Sequence, residues 1–139
     1  MTTVILKGSC LCSGVRFEID GRHSAVGICH CSKCQKASAA SGIAELMTAS
    51  KSFRFTQGQE LIQRYQQPSG YSNAFCSRCG SNLPKPHPSG KVWWIPAGLL
   101  DGDPPIELGM HIYVDSKARW DEIGGDAVQY AEDWPERPE

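Results

Sequence analysis

Long hydrophobic runs are missing from this chain. Its most apolar stretch, Val92–Leu100, is preceded by Lys91 and interrupted by Pro96, well short of the roughly 20 apolar residues that a membrane helix needs. No membrane partner is expected. The chain passes from Met1 straight to the strand-like Val4-Ile5-Leu6, with no basic segment leading into an apolar one, so a secretory signal is not expected either. Also lacking are a glycine-rich phosphate loop after a strand, a serine–histidine–acid arrangement, an internal repeat and a low-complexity linker. At 139 residues, a single domain spanning 1–139 is expected.

Net charge is nearly absent as well, at −1, but the balance hides an asymmetry. Residues 1–100 carry eleven Lys or Arg against four Asp or Glu, and residues 101–139 carry three against eleven. The basic residues are scattered rather than clustered, so no nucleic-acid partner is expected. The acidic tail from about residue 124 reads as a solvated end.

What the chain does have is cysteine. Seven fall in three groups: Cys10-Leu11-Cys12, Cys29-His30-Cys31-Ser32-Lys33-Cys34 and Cys76-Ser77-Arg78-Cys79. An odd number, and pairs separated by a single residue, fit a disulfide framework poorly. Metal-bound thiolates in a reducing cytoplasm fit better. Zinc closes structural sites with four protein ligands and leaves a position open in catalytic ones. Two pairs and a triplet divide along that line.

Cys76-x-x-Cys79-Gly80 has the form of a zinc knuckle, with Gly80 permitting the tight turn. Its partner pair is Cys10 and Cys12, giving a four-thiolate structural zinc. Cys29, Cys31 and Cys34 then form a three-thiolate site whose fourth position belongs to water, substrate or a distant side chain. His87 or His111 would close it; His30 lies between two ligand candidates and is expected to point away. An open three-thiolate zinc suits a soft ligand such as a thiol. Lys33 and Lys36 flank Cys34 and are candidates for binding a substrate carboxylate. An iron–sulfur cluster and a thiol-redox protein with Cys31 as nucleophile are the other readings of this group.

Secondary-structure signals are mostly β. Alternation over Val15–Ile19 and Phe53–Thr56, with further candidates at Leu61–Gln66, Tyr71–Phe75, Val92–Ala97 and Met110–Val114, predicts short strands separated by Pro and Gly groups. Ser32–Ala40, capped by Ser32, and Ser116–Ile123 are the helical candidates. In Trp93-Trp94, strand alternation sends one ring inward and one outward. Asn82, Lys85 and His87 fall in a proline-rich loop near the knuckle.

These motifs resemble one family: the glutathione-dependent formaldehyde-activating enzymes and their relative, centromere protein V. The resemblance runs through Gly8-Ser9-Cys10-Leu11-Cys12, Val15-Arg16-Phe17, Cys29-His30-Cys31-Ser32-Lys33-Cys34-Gln35-Lys36, Phe75-Cys76-Ser77-Arg78-Cys79-Gly80-Ser81, Ala97–Asp101, Pro105, His111-Ile112 and Trp120. It implies a zinc-stabilised, mainly β "tent" of short antiparallel strands, as in the Rab-binding zinc chaperones. It implies structural zinc on Cys10, Cys12, Cys76 and Cys79 and catalytic zinc on Cys29, Cys31 and Cys34. The implied activity is a carbon–sulfur lyase, adding glutathione to formaldehyde to give S-hydroxymethylglutathione; nearby basic groups such as Lys36 are expected to help place the substrate carboxylates. The chain departs from the family in having Ser13 before Gly14 and Gln35 in place of a frequent arginine. A module with both zincs structural, binding a protein or carrying glutathione, is the alternative.

Overall fold

Alternating burial builds the first sheet. The computed structural model describes residues 4–136, and along them run β1 (Ile5–Ser9), β2 (Arg16–Asp20), β3 (Val26–Cys29), α1 (Ser32–Ser38), β4 (Ile43–Ala49), β5 (Phe53–Gln57), β6 (Ile62–Gln66), β7 (Ser72–Cys76), β8 (Lys85–Pro86), β9 (Val92–Pro96), β10 (Leu108–Ile112) and β11 (Val128–Gln129). In β1 and β2 every second residue is buried, placing Leu6, Phe17 and Ile19 in the core with Leu46, Phe53 and Ile95. Gly8 faces Phe17 across the pair. A Cβ at Gly8 would lie 2.1 Å from the Phe17 ring, so the ring packs flat on bare backbone. Phe53 stacks on Trp93 with ring centroids 4.4 Å apart, which ties this sheet to the next.

The sheets are ordered β1-β2-β5, β11-β10-β3-β4-β9-β8 and β6-β7. The protein is mainly β, with short antiparallel pairings dominating as expected. Two pairings are instead parallel: β10 runs alongside both β3 and β11. Parallel neighbours need long crossovers, and residues 30–107 and 113–127 supply them.

Three expectations are corrected. Ser116–Ile123 is not a helix. Tyr113 adopts a left-handed backbone (φ 57), a single 3-10 turn occupies Val114–Ser116, and Lys117 is extended, ending it. The cap of α1 is Cys31, not Ser32: Cys31 has the extended backbone and its sulfur accepts the Cys34 N–H. The third concerns the acidic tail. Asp126, Glu132 and Glu136 are exposed, but the tail's backbone is docked. Beyond β11, the N–H groups of Tyr113, Val114 and Asp115 donate to Glu132, Tyr130 and Ala131 carbonyls, and Tyr130 donates to His111. The open edge of β10 has unpaired backbone groups, and the tail satisfies them. Among the described residues no helix is long and apolar enough to cross a membrane.

Candidate metal centres and cavity

The knuckle and the first turn meet at the end of the β1–β2 pair. Sulfurs of Cys10, Cys12, Cys76 and Cys79 lie within 4.8 Å of one another, with Cys10 and Cys12 at 3.6 Å and Cys12 and Cys76 at 3.9 Å. Backbone N–H groups point at them: Val15 to Cys10 at 3.3 Å and Gly14 to Cys12 at 3.4 Å. The hydroxyl and backbone of Ser81 hold the Cys79 thiol down at about 5. Gly80 adopts the left-handed conformation the turn requires (φ 79). Cys10 and Cys76 pack with Val15, Ala74 and Leu83 in a second small core.

The other three thiols form a separate group within the same 4.8 Å limit. Cys29 ends β3, Cys31 caps α1 and Cys34 lies in its first turn. No histidine or carboxylate among the described residues joins them. Hydrogen bonds from the Cys29 and Cys34 thiols, aided by the backbone N–H groups of Cys34 and Lys33, pull Cys31 down to about 2. The same contacts with Cys31 and Cys34, plus burial, push Cys29 far above the ordinary thiol range. Three crowded sulfurs concentrate negative charge on one; a cation is needed to ionise all three together.

The loop is fixed from behind. His30 points into the interior, as expected, with Nε2 2.9 Å from His111 Nδ1 and Nδ1 3.3 Å from the Asp121 carboxylate. Gln35 donates to the His30 and Ser116 carbonyls at 2.8 and 2.9 Å. Gly42 leaves room for the Cys29 carbonyl, which a Cβ would meet at 2.3 Å.

In front of the thiols lies a cavity of about 560 Å³, within the range of small-molecule sites. The six-stranded sheet is its floor: Gly27 and Glu45 pair across β3 and β4, and Met47, Trp94 and Lys85 lie abreast on β4, β9 and β8. Lys33 and Tyr71 form one wall, and Asp133 and Trp134 of the docked tail line it too. The Tyr71 hydroxyl donates to the Cys34 sulfur at 3.7 Å. Burial first, then the charge at Cys34, keeps its phenol protonated well above the usual range.

Of the other residues singled out from sequence, Lys36 is exposed on α1 and does not line the cavity. Lys85 and His87 do line it, whereas Asn82 bridges to Phe75 away from it. Trp93 and Trp94 face opposite sides: Trp93 packs on Phe53 and Phe55, and Trp94 lines the cavity. Sequence reasoning missed Tyr71, Asp121 and Trp134.

A mainly β scaffold thus carries one four-thiol and one three-thiol cluster, each able to hold a metal ion, the second open to a cavity. Residues 5–116 match the family model described as glutathione-dependent formaldehyde-activating enzyme, and the chain belongs to that family. A curated Halomonas elongata protein, provisionally named as such an enzyme, is 31% identical over 130 residues, covering 86% of this chain and 82% of its own. The crystal structure of a Rhodobacter sphaeroides protein resembles this one with a TM-score of 0.59 at 20% identity, over 73% of this chain and 98% of that one. That likeness is one of fold. The tail residues that reach the cavity lie beyond the matched 5–116.

Proposed function

We propose that the chain is a zinc-dependent enzyme of the carbon–sulfur lyase type, joining glutathione to formaldehyde in the cytoplasm. The observation that carries this reading is the contrast between the two clusters: four sulfurs close one, while the three that face the cavity are joined by no histidine or carboxylate among the described residues. Zinc fits both donor sets. Tetrahedral zinc with bonds near 2.3 Å separates its sulfurs by about 3.8 Å, and the structural cluster has 3.6 and 3.9 Å.

Bound by Cys29, Cys31 and Cys34, zinc would supply a Lewis acid that favours an incoming sulfur in its thiolate form. The chain's own groups then place the reactants. In the addition a carbon–sulfur bond forms, the carbonyl π bond opens, the thiol gives up its proton and the carbonyl oxygen gains one. Tyr71, a protonated phenol whose one O–H donates to the Cys34 sulfur, is the donor suited to turn from that sulfur to the carbonyl oxygen. The basic residues Lys33 and Lys85 line the same space and favour an anionic thiol. The apolar faces of Met47, Trp94 and Trp134 limit water around the reacting carbon.

The test is thiol-dependent acceleration of hydroxymethyl exchange by the zinc-loaded chain above the uncatalysed rate. Acceleration with glutathione supports the reading; none with any common thiol overturns it. The rival reading, a binding module with both zincs closed, draws on His87 lining the same cavity, and predicts nitrogen coordination at the second zinc.

A further inference from the structure

Lys85 is a charged side chain placed where charge is costly. It is one residue of the two-residue strand β8, paired to Trp94 of β9, and only 9% exposed. Its ammonium donates to the Ser72 carbonyl and lies over two rings, 4.6 Å from the Tyr71 centroid and 5.4 Å from that of Trp94. Among the described residues no salt bridge joins it to a carboxylate, although Glu45 and Asp133 line the same cavity. An ammonium has three donors, and the Ser72 carbonyl takes one. The ring faces return part of the desolvation cost, but a buried cation without a counter-anion remains expensive. Its side chain lines the cavity that the three thiols face. Lys33 adds a second ammonium, 6.0 Å from the Tyr71 centroid, and lines the same cavity.

We infer that Lys85 is the carboxylate anchor of this cavity, selecting thiols that carry a carboxylate. The inference rests on the reading that the three-cysteine site takes a thiol. An incoming carboxylate meets the ammonium directly and takes its remaining donors, and the aromatic walls keep the pair desolvated, where a charge-assisted hydrogen bond is strongest. Tyr71 links the two ends of the site, with its hydroxyl on the Cys34 sulfur and its ring under the Lys85 ammonium. A substrate held by its sulfur at the thiols and by its carboxylate at Lys85 is fixed in orientation as well as in place.

The experiment compares 3-mercaptopropionate with 2-mercaptoethanol, by calorimetric titration of the zinc-loaded full chain. The native chain should bind the carboxylate thiol about tenfold more tightly or better. Lys85→Met should abolish that preference, weakening the carboxylate thiol about tenfold more than 2-mercaptoethanol, with zinc content retained. Lys85→Arg, which keeps the charge, should retain most of it. An unchanged preference in Lys85→Met, or equal weakening of both thiols with loss of zinc, overturns the anchor. Selective thiol binding without hydroxymethyl exchange would sink the proposed reaction and leave the anchor standing. Failure of the native chain to bind either thiol would overturn both.

Discussion

His30 and His111, 81 residues apart in the chain, meet with ring nitrogens 2.9 Å apart in the interior. That contact joins the loop bearing three thiols to β10, the strand on which the tail docks. Burial holds His111 below the ordinary histidine value, with the His30 charge acting in the same direction and Asp121 opposing. A depressed value means that the unfolded chain takes up a proton, near pH 6.5, which the folded chain refuses. The stability contributed by neutral His111 is therefore complete above that pH and is lost as pH falls. Urea unfolding should show the gap between native chain and His111→Gln to be widest at about pH 7.5 and to narrow toward about pH 5.5. A gap independent of pH would count against a neutral buried His111.

The two clusters should differ in what they do for the fold. Cys12 and Cys76 are 64 positions apart, whereas Cys29 and Cys34 lie within one short loop. A cross-link spanning the longer distance restricts the unfolded chain by about 4 kcal/mol. Cys76→Ser should lower the melting temperature sharply and lose one zinc. Cys31→Ser should lose the other zinc and the activity with a far smaller change in melting. Metal analysis alongside calorimetry checks both.

Gly42 is tied to the second centre by its lack of a side chain. Its missing Cβ would meet the Cys29 carbonyl at 2.3 Å, a backbone atom that can yield only by moving Cys29. Gly42→Ala should cost about 1–3 kcal/mol and release one zinc faster to a chelator. Gly8→Ala, crowding Phe17 instead, should destabilise to a similar degree without altering zinc release. Equal release rates in the two variants would contradict the link.

The docked tail completes the cavity with Trp134 and Asp133. A chain ending at Asp126 should keep both zincs but show a KM for thiol raised severalfold. Trp134→Ala should shift KM in the same direction. An unchanged KM in both would remove the tail from the site.

The cysteine division was legible because ligand spacing is a local property: knuckle, pair and triplet each declare themselves within six residues. Strands with clean alternation, such as Arg16–Asp20, were legible for the same reason. β3 and β4 were not predicted. β3 is four residues long and holds Gly27, and β4 carries a broken burial pattern because cavity and core claim different faces. Lys85 and Tyr71 could not be placed, since their neighbourhood arises when β8 pairs with β9 and the β6–β7 hairpin folds over it. The tail's acidic composition indicated solvent, correctly for Asp126, Glu132 and Glu136 but not for Trp134, which lines the cavity. Its backbone pairing with β10 leaves no mark on side-chain pattern.

The central claim is that one zinc has three protein sulfurs and receives its fourth from a thiol substrate. Zinc X-ray absorption of the full chain, with and without glutathione, tests it most directly. Seven thiols over two ions predict about 3.5 sulfurs per zinc, rising to about 4 when glutathione is added. A sulfur number that does not rise, with a histidine nitrogen already at the second zinc, would contradict the account.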